Sequence, residues 1–466
     1  MAKPSEILKT NFPFTPTAGQ QQLFELFDPF LLDKDQEKPT LILRGYAGTG
    51  KTTIVSAIVK TLPFFNMRYV LMAPTGRAAK VMSSYAKRTA FTIHKKVFQQ
   101  TAAPGGGLTF KRQRNYHKQT LFIVDEASMI SDHQEYGKKG LLADLIDYVF
   151  SQEGNKLLLI GDVAQLPPVG LTESPALEKA YLSAQFKTDV ESLEMTEVMR
   201  QDEASGILFN ATNLRMELAK KEFAIRFATK GFKDTFKMTG ERLEDGLRYA
   251  YDKYGTEETA IICRSNKNAV QYNQYIRRTI QYREDELDAG DLLMVVRNNY
   301  TFLPEENVAG FIANGDFVEV LKIMRFEEYY GLRFADLRLR LLDYPDMEPF
   351  EAKVILDTLH GHDASLNDQA YKRLYEEVSA DYADIASKTE RMKAIKKDPF
   401  LNALQVKFAY ALTCHKSQGG QWSAVFVDQG YLTDEMVDRE YVRWLYTAVT
   451  RAKEELFLVN FNNSFF

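Results

Sequence analysis

The eight residues GYAGTGKT (Gly45 to Thr52) place two glycines, a lysine and a hydroxyl at the spacing G-x-x-x-x-G-K-[ST]. The backbone of Gly45, Ala47, Gly48, Thr49 and Gly50 can turn its N–H groups onto phosphate oxygens. The helix expected to follow adds positive potential at its N-terminus. Lys51 is expected to reach the outer phosphates of a nucleoside triphosphate and Thr52 to hold Mg2+, with Thr53 beside it among the nucleotide-binding residues. Farther along, LFIVDEAS (121–128) ends an apolar run in two acids. Asp125 is placed to pair with the same Mg2+. Glu126 is placed to polarise an attacking water. A lone Asp-Glu pair after a strand is a weak signal; after a phosphate loop it is a strong one. The chemistry implied is nucleoside triphosphate hydrolysis.

Three further stretches carry groups that could act on the same reaction. GDVAQLPPVG (161–170) ends another apolar run in an Asp, followed by Gln165 and two prolines. By itself it reads as an ordinary turn. MTEVMRQ (195–201) carries Arg200, and YTAVTRAKEELFLV (446–459) carries Arg451. An arginine brought to the γ-phosphate from another element stabilises transition-state charge, an effect of about 10³–10⁵-fold in rate. Each arginine alone reads equally well as a surface ion pair of little energetic weight.

These groups need elements to hold them. TLILRG (40–45), YVLMA (69–73), LFIVDE (121–126) and KLLLIGD (156–162) are continuously apolar and alternate with helical spacing. That pattern predicts a parallel sheet covered on both faces. TAIIC (259–263), AVFVD (424–428) and LFLVN (456–460) repeat it and predict a second α/β lobe. Two segments break the pattern. Residues 98–118 read as two short arms around Pro-Gly-Gly-Gly, with Lys111, Arg112, Arg114 and Lys118 on the returning side. Residues 290–400 contain FVEVLKIMRF and LRLRLL, whose period of two predicts small antiparallel β-structure. SLND (365–368) then matches a capping box. It predicts a helix with Tyr371, Leu374, Tyr375, Val378, Tyr382 and Ile385 along one stripe and a basic end, KTERMKAIKK.

The 466 residues suffice for roughly three domains. A hydrophobic content of 45% excludes a disordered chain. A net charge of −4 excludes a uniformly basic coat but not a basic groove. Cys263 and Cys414 have no ligand spacing around them, so a zinc site or disulfide framework is not expected. The opening MAKPSEILKT lacks the apolar core of a signal peptide, and no apolar run approaches the ~18 residues of a membrane span. A cytoplasmic location is expected.

Taken in order, GYAGTGKTT, APTGRAAK, LFIVDEAS, GDVAQLPPV, EVMRQ, ALTCHKSQGGQW and YTAVTRA resemble the motifs of superfamily 1 DNA helicases. The closest resemblance is to the RecD/Dda-like branch, superfamily 1B, among the P-loop, AAA-type ATPases. The motifs run from Thr17 to Arg451. The resemblance implies an α/β fold of two RecA-like lobes, the first at 1–190 and the second at 191–289 and 401–466. It makes 98–118 a strand-separating pin and 290–400 an SH3-like β-barrel with a helical elaboration. It implies ATP and Mg2+ as cofactors, single-stranded and tailed duplex DNA as partners, and 5′ to 3′ movement in DNA repair or recombination. A monomer is expected, with no membrane partner. Gln20, in TAGQ, would contact adenine. Gln165 would sense the γ-phosphate, with the stiff turn after it close to the nucleic acid. Gly419 would lie by the nucleotide, while Pro74, Thr75, His94, Thr413, His415 and Lys416 would contact DNA. Gln421 stands where many relatives carry Glu. An RNA helicase, or a nucleotide-gated DNA-binding ATPase that does not unwind, are the alternatives. DNA-stimulated ATPase activity and tailed-duplex unwinding separate them.

Overall fold

The computed structural model describes residues 2–102, 108–133, 139–199, 204–299, 301–303 and 311–466. Strands β1 (Thr40–Gly45), β2 (Arg68–Ala73) and β3 (Ala90–Thr92) precede an antiparallel hairpin of β4 (Phe98–Ala102) and β5 (Leu108–Arg112). Then come β6 (Thr120–Val124), β7 (Lys156–Gly161) and β8 (Val190–Met195). Outside the hairpin these strands form one parallel sheet in the order β3-β2-β6-β7-β1-β8. The central strands β6 and β7 are buried at every position because helices cover both faces, which is why their sequence is continuously apolar.

The second lobe is also parallel. It contains β9 (Thr235–Met238) and β10 (Thr259–Cys263), and its remaining strands follow an inserted barrel. The barrel is closed by β11 (Leu292–Val295), β12 (Phe317–Tyr329), β13 (Leu332–Leu341), β14 (Phe350–Ile355) and β15 (Leu404–Phe408). The chain returns to the lobe through β16 (Ala411–Thr413), β17 (Trp422–Asp428) and β18 (Ala452–Val459), in the order β16-β10-β17-β18-β9. Closing the barrel removes the free edges that a small antiparallel sheet would otherwise expose. Both cysteines are buried and unpaired. Among the described residues no helix is long and apolar enough to cross a membrane.

Strand pairing moves two expected boundaries. β8 pairs with β1, so the first sheet runs past 190 to Met195. β15 closes the barrel against β11 and β14, so the barrel runs past 400 to Phe408. The helix expected from the capping box at 365–368 is also different. Asn367 is the cap, accepting from the Ala370 N–H, and the helix Asp368–Asp381 ends before a second one, Lys388–Lys397. Tyr382 therefore lies at the end of the first helix, and Ile385 lies between the two. Leu374 and Val378 of the first helix and Ile395 of the second pack on Phe334 and Ile355 of the barrel. The break lets both helices bury an apolar face on the barrel.

Candidate nucleotide site and strand track

β6, β7 and β1 are neighbours, so the groups at their C-terminal ends converge. These are Asp125, Asp162 and the loop 45–52, at the end of the sheet where open α/β folds bind ligands. Gly48 and Gly50 adopt φ of +77° and +83°, which the loop needs to turn its amides inward. The loop is also braced from behind. Thr49 Oγ1 donates to the Tyr46 carbonyl at 2.8 Å, and Lys51 Nζ donates to the Gly45 and Tyr46 carbonyls at 2.6 and 2.8 Å. Helix Ala18–Leu32 presents Gln20, which is fully buried. Its Nε2 donates to the Thr49 carbonyl at 3.0 Å, and its Oε1 accepts from the Thr17 N–H at 3.0 Å. Both ends of its amide are thus engaged, one by the helix cap and one by the phosphate loop, which places Gln20 directly behind that loop. A Cβ at Gly50 would meet the Gln20 amide at 2.8 Å.

The carboxylates are tuned by different neighbours. Tyr85 donates its hydroxyl to Asp125 Oδ2 at 2.6 Å, and the Glu126 N–H donates to Oδ1 at 2.9 Å. Glu126 sits in the left-handed region, φ +53°. Burial raises its pKa; Arg451 and Lys51 act against that rise, while Asp125 and Asp162 add to it. A carboxylate raised in this way is a better proton acceptor at neutral pH than an ordinary one. Asp162 is raised by burial too, with Lys51, Tyr446, the Ala164 N–H and Arg451 opposing. Lys51, Glu126, Asp162 and Arg451 therefore form one electrostatic cluster. For Mg2+ the fit is chemical. Thr52 exposes its side chain on the first turn of helix Lys51–Thr61, and Asp125 ends the strand β6. A hydroxyl and a carboxylate are the hard oxygen donors that Mg2+ takes, with phosphate oxygens and water completing its shell.

The second lobe reaches this cluster through helix Arg439–Val449 and the turn after it. Arg451 is buried and donates to the Thr447 and Gly420 carbonyls at 3.0 and 3.1 Å. Tyr446, which sequence reasoning missed, joins the lobes directly: the Ala47 N–H of the phosphate loop donates to its hydroxyl at 2.9 Å, and that hydroxyl donates to Asp162 at 2.6 Å. The segment that read as a turn is held at several points. The Leu166 N–H donates to Thr447 Oγ1 at 2.9 Å, Gln418 Nε2 donates to the Leu166 carbonyl at 2.7 Å, and Arg443 pairs with Glu173 at 2.8 Å. Tyr446, Thr447 and Gln418 belong to the quoted motifs, but no local pattern distinguishes a tyrosine that crosses between lobes from one in the core. Arg200 lies outside the described residues, although its neighbour Met199 donates its N–H to the Gly48 carbonyl at 3.0 Å.

Within the segment 161–170, Gln165 is buried and its side-chain oxygen has no hydrogen-bond partner among the described residues. Such an amide lacks a bond that a water or phosphate would supply. Gln165→Ala is expected to reduce DNA stimulation of ATP hydrolysis by about 5–150-fold, the range of a coupling of ~1–3 kcal/mol. DNA affinity without nucleotide should stay near the parent value. Equal stimulation in parent and variant would return the residue to a packing role. Steady-state ATPase assays with and without DNA, beside a binding titration, check it.

A second group of residues lies along the junction of the lobes with the barrel. Pro74 and Thr75 follow β2, and Thr75 caps helix Gly76–Ala86 by accepting from the Ala78 N–H at 3.2 Å. Gly419 packs here: a Cβ on it would meet Thr75 Oγ1 and Ala78 Cβ, each at 2.9 Å. The next residue, Gly420, accepts from Arg451 of the nucleotide cluster at 3.1 Å, so the same turn touches both that cluster and the Thr75 helix. Arg77 spans the barrel and the second lobe, 4.7 Å from the Phe317 ring and 4.2 Å from the Trp422 ring. His94 lies on helix Ile93–Val97, tilted against Phe98 at the base of the hairpin. Burial lowers the pKa of His94 and of His415, favouring neutral imidazoles. Thr413 begins the short helix Cys414–Ser417. Lys416, in that helix, has a buried Nζ without a hydrogen-bond partner among the described residues, and burial, aided by Lys407, brings its pKa down to about 8. An unpaired buried ammonium is a place where an anion gains more than it would in water.

Residues 34–228 match the family model for an AAA domain, and residues 408–459 that for the UvrD-like helicase C-terminal domain. An Acanthamoeba polyphaga mimivirus protein is 23% identical over 89% of this chain and 94% of its own length. The ATP-dependent DNA helicase dda of Enterobacteria phage T4 is 23% identical over 95% of this chain and 99% of its own. The ATP-dependent RecD2 DNA helicase of Deinococcus radiodurans is 31% identical over 40% of this chain, which corresponds to 23% of that longer protein.

Proposed function

Because the chain belongs to the RecD/Dda-like branch of superfamily 1B helicases, we propose that it is an ATP-driven motor that moves 5′ to 3′ on single-stranded DNA and separates duplex strands. One observation carries the reading. The phosphate loop, Tyr446 of the second lobe and Asp162 of the first share one chain of hydrogen bonds, and the same cluster contains Arg451. A change of charge at the γ-phosphate alters the partners of all three. The lobes then have reason to rotate about that contact. The Thr75 and Lys416 helices belong to opposite lobes, so the spacing between two phosphate-binding elements would change with each hydrolysis. In this reading the modules are the first lobe to Met195, the second lobe, the barrel with its helices, and the hairpin β4–β5.

The hairpin is the proposed strand separator. Its return strand is tied to the first lobe by Arg112, which pairs with Asp147 at 2.6 Å and Asp144 at 3.5 Å on helix Leu141–Val149. The tip expected at Pro104–Gly107 lies outside the described residues. A wedge matters only where two strands part. The test is unwinding of duplexes carrying a 5′ or a 3′ single-stranded tail, at one salt concentration because phosphate contacts are salt-dependent. The expected outcome is ATP-dependent unwinding from the 5′ tail with little from the 3′ tail. Equal unwinding from both would remove the polarity. DNA-stimulated hydrolysis without unwinding would leave a translocase.

A further inference from the structure

The two helices inserted between β14 and β15 have no part in the scheme above, yet they build a cleft. The cleft lies between helix Asp368–Asp381, the end of helix Lys388–Lys397 and the barrel rim, and encloses about 990 Å3. On one wall Arg297 stacks its guanidinium 4.0 Å from the centre of the Tyr371 ring. Tyr375, four residues on along the same helix face, continues the aromatic wall. On another wall Lys396 is partly buried; burial lowers its pKa, and no carboxylate opposes that effect. Asn298 and Asn314 supply amides, with the Asn314 N–H donating to Asn298 Oδ1 at 2.6 Å. Asp368 is the acidic side chain among the residues lining it.

The cleft adjoins the strand track. Two residues after Asn314, the buried Asp316 side chain presses on Gly76, where a Cβ would approach its Oδ1 to 2.2 Å. Gly76 begins the helix capped by Thr75. A strand leaving that helix at the barrel would meet the cleft next.

We infer that this cleft binds a second stretch of the single strand, holding bases against Tyr371 and Tyr375 and phosphates at Arg297 and Lys396. The combination fits that class of ligand. Flat aromatic faces accept any base, cations follow the phosphate backbone, and an arginine on an aromatic ring gives a second flat surface. The inference rests on the reading of the chain as a DNA motor. It gives the helical insert a purpose: extending the length of strand held per molecule.

Binding of an oligothymidylate length series by fluorescence anisotropy tests it. In the parent, affinity should rise in two stages as the strand first fills the interlobe track and then reaches the cleft. In R297A/K396A the second stage should vanish. The slope of log K against log salt on long strands should fall by about 1.4, at ~0.7 for each single-strand phosphate contact. The charge-conserving R297K/K396R should keep most of that slope. 4-Thiothymidine in a long strand should photo-crosslink to Tyr371 or Tyr375, as located by mass spectrometry. Thermal melting and basal ATPase activity of each variant check that the fold is intact. An unchanged length dependence and salt slope, with no crosslink at either tyrosine, would overturn the cleft assignment. If the parent itself showed no DNA-stimulated ATPase activity, the motor reading would fall instead, which separates the two failures.

Discussion

Lys51→Ala should reduce ATP hydrolysis to the limit of detection, a loss of at least about 10²–10³-fold on the scale of removing one preorganised charged donor. The structure explains why the loss should be specific. Lys51 Nζ rests on the carbonyls of Gly45 and Tyr46, within the loop it would serve. The ammonium is therefore stored beside the phosphate position, and only a short movement brings it onto the β/γ-oxygens. Alanine removes that charge from a cluster in which Glu126 and Asp162 both feel it. Both carboxyls should then become easier to protonate. The loop keeps other supports, from Thr49 to Tyr46 and from Gln20 to Thr49, so the fold should survive. Single-strand binding without nucleotide should remain. Lys51→Arg keeps the charge in a different shape and should also turn over poorly. An ATPase assay beside an anisotropy titration reads both properties. Hydrolysis close to the parent rate would show that the phosphate site has been misassigned.

Arg451→Ala should lower turnover by about 10³–10⁵-fold while ATP still binds, because the charge it supplies is needed most in the transition state. Its environment calls for a control. Arg451 is buried and donates to two carbonyls, so truncation leaves the Thr447 and Gly420 oxygens without those bonds, at a cost of ~1–3 kcal/mol each. Some loss of thermal stability is therefore expected alongside the kinetic effect. Arg451→Lys separates the two. Lysine keeps the positive charge near Glu126 but cannot hold two carbonyls and the γ-phosphate through one planar fork. The lysine variant should be nearly as stable as the parent and still slow. Nucleotide affinity from a fluorescent ATP analogue, kcat from steady-state hydrolysis and a melting curve give three independent readings. Normal kcat with collapsed affinity would make Arg451 a binding residue.

Much of this was legible in the chain because it depends on local patterns. A phosphate loop is one contiguous turn whose glycines and lysine act within eight residues. Buried parallel strands read as continuous apolar runs because both faces are covered, so β1, β2, β6, β7, β10, β17 and β18 lie where those runs predict them. The alternation in β12 and β13 was legible as small antiparallel β-structure, and its closure into a barrel came from the family resemblance. What the tertiary structure decided depends on pairings between distant segments. β7 lies between β6 and β1, and that order alone brings Asp162 between Asp125 and the phosphate loop. Tyr446 donates to Asp162 from a helix far away in sequence, and no spacing rule reports a hydrogen bond between lobes. Gln20 stands in the expected motif, and its bonds to Thr17 and Thr49 become visible only when the helix is packed behind the loop. Gly419 lets the second lobe approach Thr75, because close contact between backbones is a property of the assembled fold. The helical stripe expected from Tyr371 to Ile385 stops at Asp381, and the second helix packs its Ile395 on the same barrel cluster as Leu374 and Val378. Sequence by itself determined which groups could do the chemistry; long-range packing determined which of them meet, because burial and hydrogen bonding are settled by neighbours in space.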